Sequence, residues 1–147
     1  MIPRGLIIAV IVGIIAGAII GVLLVTQKNG EQLLFVQGSS ISIVTDKTDF
    51  DQGEQINIKI INSGTTTLTF SDASYGLKVT GLDGRVLFSP VSAKTVSILE
   101  PKEEITFVWD QIKNDGDHAA AGTYKIISEA SHDDKMVKKS ITINIHK

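Results

Sequence analysis

The pattern of hydrophobic and polar positions divides the chain into two parts. An uncharged apolar run, LIIAVIVGIIAGAIIGVLLV, extends from Leu6 to Val25. A helix of about 20 residues is about 30 Å long, which is enough to cross the hydrocarbon core of a bilayer. The pattern therefore predicts one transmembrane α-helix within residues 1–28, followed by a region without helical periodicity.

Small residues recur at every fourth position of the first part, at Gly5, Ala9, Gly13, Gly17 and Gly21. At that spacing they share one face of a helix. Glycine and alanine allow another helix to approach closely, so we predict that Ala9, Gly13, Gly17 and Gly21 form a helix-packing surface. The partner is either a second copy of the chain or the transmembrane helices of another subunit.

The second part has a period of two, which is typical of half-buried strands. In QINIKII, for example, Ile56, Ile58 and Ile60 share one face. Alternating runs on either side of Asp83-Gly84 predict a β-hairpin. Further predicted strands are Ser40–Thr45, Thr66–Phe70, Ile105–Trp109, Tyr124–Ser128 and Ser140–Ile145.

About eight short strands without interleaved helices favour an all-β antiparallel sandwich over residues 40–147. The segments DKTDFDQGE (46–54) and NDGDHAAAG (114–122) are predicted to be connections outside the strands. Residues 29–39 are predicted to be a linker and lead-in, which holds the sandwich close to the membrane surface.

Gly122-Thr123-Tyr124, at the start of a predicted strand, is similar to the tyrosine corner of immunoglobulin-like sandwiches. In that feature the tyrosine hydroxyl binds nearby backbone. We therefore expect a structural role for Tyr124.

Residues 50–130 resemble the BsuPI-type proteinase inhibitor family. The matching pieces are Gly53-Glu54, Asn62, TLTFSDASYGLKVTGLDGRVLF, LEPKEEITFVWDQ and AGTYKI. The resemblance implies an immunoglobulin-like sandwich, and the name of the family implies inhibition of a serine proteinase. It places no inhibitory loop on particular residues of this chain.

Charges beside the apolar run predict its orientation. Arg4 and the amino terminus precede the run, whereas Lys28 and Glu31 balance each other after it. The positive-inside tendency therefore predicts a cytoplasmic N-terminus and an extracytoplasmic β-domain. We expect an uncleaved signal anchor, because the A-x-A sequence at residues 16–18 lies inside the apolar run.

A different interpretation of the same segment rests on Arg4-Gly5-Leu6-Ile7. This sequence, ahead of an unbroken apolar helix, resembles the prepilin-peptidase site of archaeal pilins and archaellins. The resemblance implies processing at Gly5 and a pilin-like filament subunit, and it covers about 25 residues.

Composition argues against several functional classes. The chain has no cysteine, which excludes disulfides, thiol catalysis and thiolate metal sites. Apart from Arg4 and Lys28 it carries 12 basic and 16 acidic residues, which argues against nucleic-acid binding. No catalytic motif surrounds His118, His132 or His146, so we expect no enzymatic activity.

Two acidic turns, at residues 49–54 and 115–118, place carboxylates at a spacing that suits calcium. Neither has the spacing of an EF-hand, and acidic turns are common without metal, so we predict no metal, cofactor or small-molecule substrate. The sequence favours a non-catalytic interaction or accessory subunit of a membrane protein assembly, in contact with membrane lipid. A membrane-tethered BsuPI-like inhibitor and a pilin-like filament subunit are the alternatives.

Overall fold

Ten strands form along residues 35–147, the part of the chain that the computed structural model describes. The predicted transmembrane helix and its packing residues Ala9, Gly13, Gly17 and Gly21 lie outside the described residues. No helix within residues 35–147 is long and apolar enough to span a membrane. The strands are β1 (Ile41–Thr45), β2 (Asp49–Asp51), β3 (Ile56–Asn62), β4 (Leu68–Phe70), β5 (Lys78–Thr80), β6 (Val86–Phe88), β7 (Ser97–Leu99), β8 (Glu104–Trp109), β9 (Gly122–His132) and β10 (Lys135–His146).

The first sheet contains β1, β3 and β8 in that order, and both pairs are antiparallel. Ile60 of β3 lies between Ile43 on one side and Ile105 on the other. The predicted alternation in β3 is confirmed, because Ile56, Ile58 and Ile60 are fully buried while the intervening side chains face outwards.

The second sheet is mixed, which corrects the expectation of a purely antiparallel fold. It has the order β2–β10–β9–β4–β7, with β5 also paired to β9 and β6 paired to β5. The strand β2 runs parallel to β10, so the chain changes sheets between β1 and β2. The prediction that residues 46–54 are a connection is therefore wrong at β2. The strand buries one apolar side chain, Phe50, and three residues give almost no periodic signal.

Two hairpins belong to the second sheet. β5 pairs with β6 across Gly84, whose φ of 81° favours glycine, and this confirms the predicted hairpin. β9 and β10 pair along 11 and 12 residues and are joined by Asp133 and Asp134. Both aspartates have positive φ, as a tight two-residue hairpin turn requires. These strands extend well beyond their predicted bounds.

The two sheets face each other across one hydrophobic core. Trp109 of β8 stacks on Phe88 with ring centroids 5.7 Å apart, and it forms a T-shaped pair with Tyr124 of β9, with ring centroids 6.1 Å apart. The hydroxyl of Tyr124 donates to the carbonyl of Ala120 at 2.5 Å, which confirms the predicted backbone contact of this tyrosine. The described residues therefore form an all-β, sandwich-like fold.

Candidate functional site: the lead-in end of the sandwich

The described chain joins the sandwich at one end, beside two loops. We call this region, residues 35–40, 62–67 and 99–104, the lead-in end. The amide of Val36 donates to the carbonyl of Ser63 at 2.8 Å. Gly38 and Thr65 exchange two hydrogen bonds, from the Gly38 amide to the Thr65 hydroxyl at 2.9 Å and from the Thr65 amide to the Gly38 carbonyl at 2.8 Å. The lead-in segment is therefore fixed to the sandwich from Val36 onwards.

Three hydroxyl groups add to the contact between the lead-in segment and the loop after β3. The hydroxyls of Ser40 and Ser42 each lie 2.9 Å from that of Ser63. Nearby, Gly64 packs so closely that an added Cβ would lie 2.2 Å from the carbonyl oxygen of Gly38. Glycine is therefore required at position 64 by the close approach of the two backbones.

Asn62 is the buried centre of the lead-in end. Its side-chain amide donates to the carbonyls of Thr66 and Leu99, both at 2.8 Å, and its carbonyl oxygen accepts the amide of Gly64 at 3.0 Å. Its backbone amide also donates to the backbone carbonyl of Glu103 at 3.0 Å. One side chain thus joins the end of β3 to the following loop and to β7.

A tight turn at Glu100–Glu103 completes this end. Lys102 has a φ of 72° at the turn, and its ammonium lies 5.9 Å from the centre of the Phe35 ring. Phe35 and Val36 are 51% and 49% exposed. The lead-in end therefore presents two apolar side chains and a cation at the surface.

The opposite end of β3 has a second buried amide, Gln111. Its nitrogen donates to the carbonyls of Asp51 at 2.8 Å and Glu54 at 2.9 Å, and its oxygen accepts the amide of Gly53 at 3.0 Å. We call this region, residues 49–54 and 109–119, the turn end. No sequence pattern singles out Gln111, although it is the last residue of one of the pieces that carry the family resemblance.

Two carboxylates of the first acidic turn, those of Asp49 and Glu54, are used within the fold. Asp49 accepts hydrogen bonds from His146 at 2.9 Å, Thr48 at 2.8 Å and Asn144 at 3.0 Å. These donors, the His146 ring foremost, lower the pKa of Asp49 from 3.8 to about 2. Glu54 pairs with the Lys47 ammonium at 2.7 Å, and this bond lowers the pKa of that carboxyl.

The second acidic turn is also internally bonded. Asp115 accepts the backbone amide of Asp117 at 3.0 Å, which lowers the pKa of the Asp115 carboxyl, and it lies 3.3 Å from the Lys113 ammonium. Within residues 35–147, no group of three or more histidine and carboxylate side chains could hold a metal ion.

The three histidines make different contacts in the fold. His132 lies 2.9 Å from the carbonyl of Thr67 and 3.1 Å from the Asp133 carboxylate. His146 pairs with Asp49 at the opposite end of the β9–β10 hairpin. The backbone of His118 forms an isolated bridge with Ile112. His132 and His146 therefore belong to different structural contacts.

A shallow groove of about 260 Å³ lies between β9, the loop after β4 and the start of β10. Most of its lining residues are polar. Asp72 bonds both the amide and the hydroxyl of Ser74, which lowers the pKa of the Asp72 carboxyl. Glu129 pairs with Lys138 at 3.1 Å and with Lys78 at 3.9 Å. The carboxylates of the groove are thus bonded within the fold, Asp72 to Ser74 and Glu129 to two lysines.

Comparison with known proteins yields structural likenesses at low similarity. No protein-family model and no curated protein sequence matches the chain. Spo0M, a sporulation control protein from Bacillus subtilis, is similar with a TM-score of 0.48 and 10% identity over 76% of this chain and 51% of that one. A β-glucosidase from Listeria innocua in complex with gluconolactone has a TM-score of 0.36 and 15% identity, covering 74% of this chain and 16% of the glucosidase. The chain thus spans about half the length of Spo0M, and likenesses at this level carry nothing about what it binds or does.

Proposed function

We propose that the chain is a single-span membrane protein that acts as a non-catalytic interaction or accessory subunit of a membrane protein assembly. Its β-domain lies outside the cytoplasm, and its helix packs against transmembrane helices of partner subunits or of a second copy. The observation that carries the proposal is the four-residue repeat of Ala9, Gly13, Gly17 and Gly21 within an uncharged apolar run.

The β-rich unit supports this proposal through the way its polar groups are used. Asp49, Glu54 and Asp115 bond neighbouring backbone or side chains, and His132 and His146 each contact a carboxylate. A catalytic site needs titratable groups directed towards a substrate. Groups that hold turns and strand ends together instead favour a stable domain that works through its surface.

The topology supports the finer proposal of an immunoglobulin-like sandwich. In that fold, strands A, B and E share one sheet, and C, F and G share the other. The corresponding elements here are β1, β3 and β8 in the first sheet, with β4 or β5, β9 and β10 in the second. Tyr124, at the start of β9, makes the backbone contact of a tyrosine corner.

Purification of the tagged full chain from native membranes in a mild detergent tests the proposal. We expect recovery with at least one integral membrane subunit in a fixed ratio, or as a defined homo-oligomer. Recovery as a lone monomer, in a detergent that preserves other complexes of the same membrane, would contradict it. A Gly17→Leu variant should lose the association, because leucine prevents close helix approach.

A membrane-tethered BsuPI-like proteinase inhibitor is a second candidate. It rests on the sequence resemblance over residues 50–130, and the structure gives the matching residues roles in the fold. Gly53, Asn62, Gln111 and Tyr124 all lie in the resembling pieces, and all make hydrogen bonds that define the ends of the sandwich. Addition of the full chain to a panel of serine proteinases tests this candidate, which predicts slowed substrate cleavage by at least one of them. A panel without any slowed member would remove it.

A further inference from the structure

We infer that the lead-in end rests on the bilayer surface, with Phe35 and Val36 inserted in the interfacial layer. This inference rests on the proposed membrane anchoring and adds an orientation of the β-domain. Three observations carry it, and the first is exposure. Phe35 and Val36 are consecutive and about half exposed, at 51% and 49%. Exposed large apolar side chains beside each other mark a contact surface more often than isolated ones do.

The second observation is that this apolar pair is held in place by the folded domain. Val36 donates its amide to Ser63 at 2.8 Å, and the paired hydrogen bonds of Gly38 and Thr65 follow two residues later. A fixed segment loses little conformational freedom when it meets a surface. Insertion of these two side chains therefore orients the whole sandwich.

The chemistry of the patch fits a lipid interface. The Lys102 ammonium lies 5.9 Å from the centre of the Phe35 ring, so an aromatic and a cationic group lie together, and the half-exposed Val36 follows directly in the chain. Aromatic side chains favour the headgroup region, and a lysine can direct its charge towards water or phosphate. Glu100 and Glu103 flank Lys102 in the same turn, so the patch has no excess of positive charge. We therefore assign a zwitterionic lipid surface, which needs no attraction to anionic headgroups.

The third observation is the length of chain before the patch. Nine residues, Thr26–Leu34, separate the predicted span from Phe35. They reach at most about 30 Å when fully extended. Their last two are Leu33 and Leu34, so the apolar sequence LLFV runs directly into the fixed segment. A tether this short, with an apolar end, keeps the lead-in end within reach of the membrane surface.

Depth-dependent fluorescence quenching tests the inference on the full chain in phosphatidylcholine vesicles. Trp109 is the only tryptophan of the chain and is fully buried, so it serves as an internal reference and reports on folding. The Phe35→Trp variant adds a second emitter in the patch, and Val36→Trp is an independent second variant. Val91→Trp is the matched control, because Val91 is fully exposed while the adjacent segment bonds Asn114 at the turn end.

In vesicles with brominated acyl chains, we expect the emission added by Phe35→Trp or Val36→Trp to fall about two-fold or more, as for side chains at the boundary between headgroups and acyl chains. The emission added by Val91→Trp and that of Trp109 should stay unchanged, and added salt should leave the quenching unchanged.

Three outcomes overturn the inference in distinguishable ways. Protein that resists alkaline extraction from the vesicles but shows no quenching at position 35 or 36 contradicts the surface contact and leaves the anchoring intact. Protein that alkaline extraction removes contradicts the anchoring and the surface contact together. Equal quenching at positions 35 and 91 contradicts the assignment of the lead-in end as the contacting end.

Discussion

The two ends of β3 are stabilised in the same way, each by a buried side-chain amide, but they present different surfaces. Asn62 at the lead-in end and Gln111 at the turn end are buried amides, and each forms three side-chain hydrogen bonds with backbone groups. Asn62 connects elements of both sheets, whereas Gln111 mainly closes the turn at Asp51–Glu54. A fully satisfied amide thus seals each end of the core against water.

The difference between the ends lies outside these amides. The turn end carries charged pairs such as Asp49 with His146 and Lys47 with Glu54, and the exposed apolar side chain beside it, Val91, stands singly. The lead-in end instead exposes Phe35 and Val36 beside a cation. Since both ends are equally well closed, the apolar surface of the lead-in end is not needed for closure. That contrast identifies the lead-in end as the candidate contact surface of the described residues.

Removal of the two amides should have the largest effect on stability. Asn62→Ala leaves two carbonyls and one amide without their partner, so we expect a loss of about 3 kcal/mol in the free energy of unfolding. Gln111→Ala should cost a similar amount for the same reason. Denaturant unfolding followed by Trp109 fluorescence measures both. A loss below about 1 kcal/mol for either variant would show that the corresponding end is not sealed by its amide.

Replacing one glycine at each end by alanine should distinguish the two ends more clearly. Gly64→Ala places a Cβ 2.2 Å from the Gly38 carbonyl, so the lead-in segment must move. We expect a loss of about 2 kcal/mol or more and faster amide exchange at residues 36–40.

Gly53→Ala at the turn end is the matched control. Its φ of 83° disfavours alanine, but its Cβ meets no atom within 4 Å. Its cost should be about 1 kcal/mol, without faster exchange at residues 36–40. Equal amide-exchange rates at residues 36–40 in both variants would contradict the close packing of the lead-in segment against Gly64.

As the pH falls, the turn end should be the first part of the fold to lose stability, and the loss should be small. The pKa of Asp49 is lowered from 3.8 to about 2 by folding, so its carboxylate stabilises the fold fully above pH 3.8. This contribution is lost as the pH falls through about 2, because the carboxyl then becomes protonated in the folded state as well. Asp49→Asn should flatten the pH dependence of stability between pH 4 and pH 2, relative to the exposed-turn control Asp134→Asn. Parallel pH profiles for the two variants would rule out this role of Asp49.

The sequence predicted those parts of the fold that depend on residues close together in the chain. The alternation of Ile56, Ile58 and Ile60 and the Asp83-Gly84 turn depend on neighbours in sequence, and both predictions are confirmed. The strand β2 was missed because Phe50 alone contributes to the core, and its pairing with β10 comes from residues almost 100 positions away.

The candidate contact surface could not be predicted for the same reason. Phe35 and Lys102 are distant in sequence, and only the path of the chain brings them together. Gln111 likewise looks like an ordinary polar residue after a strand, and its role depends on the backbone of a distant turn. The residues predicted to pack in the membrane, Ala9, Gly13, Gly17 and Gly21, lie outside the described residues and stay a prediction.

The central claim, that this chain works by packing its helix against another helix, is tested most directly by native mass spectrometry. The full chain, purified from its own membrane in a mild detergent, is compared with Gly17→Leu and with Ile15→Leu, a matched change on the other side of the predicted helix. The account predicts an assembly larger than one chain for the unmodified protein and for Ile15→Leu, and a monomer for Gly17→Leu. A monomer in all three cases, or an assembly that Gly17→Leu leaves intact, would contradict it.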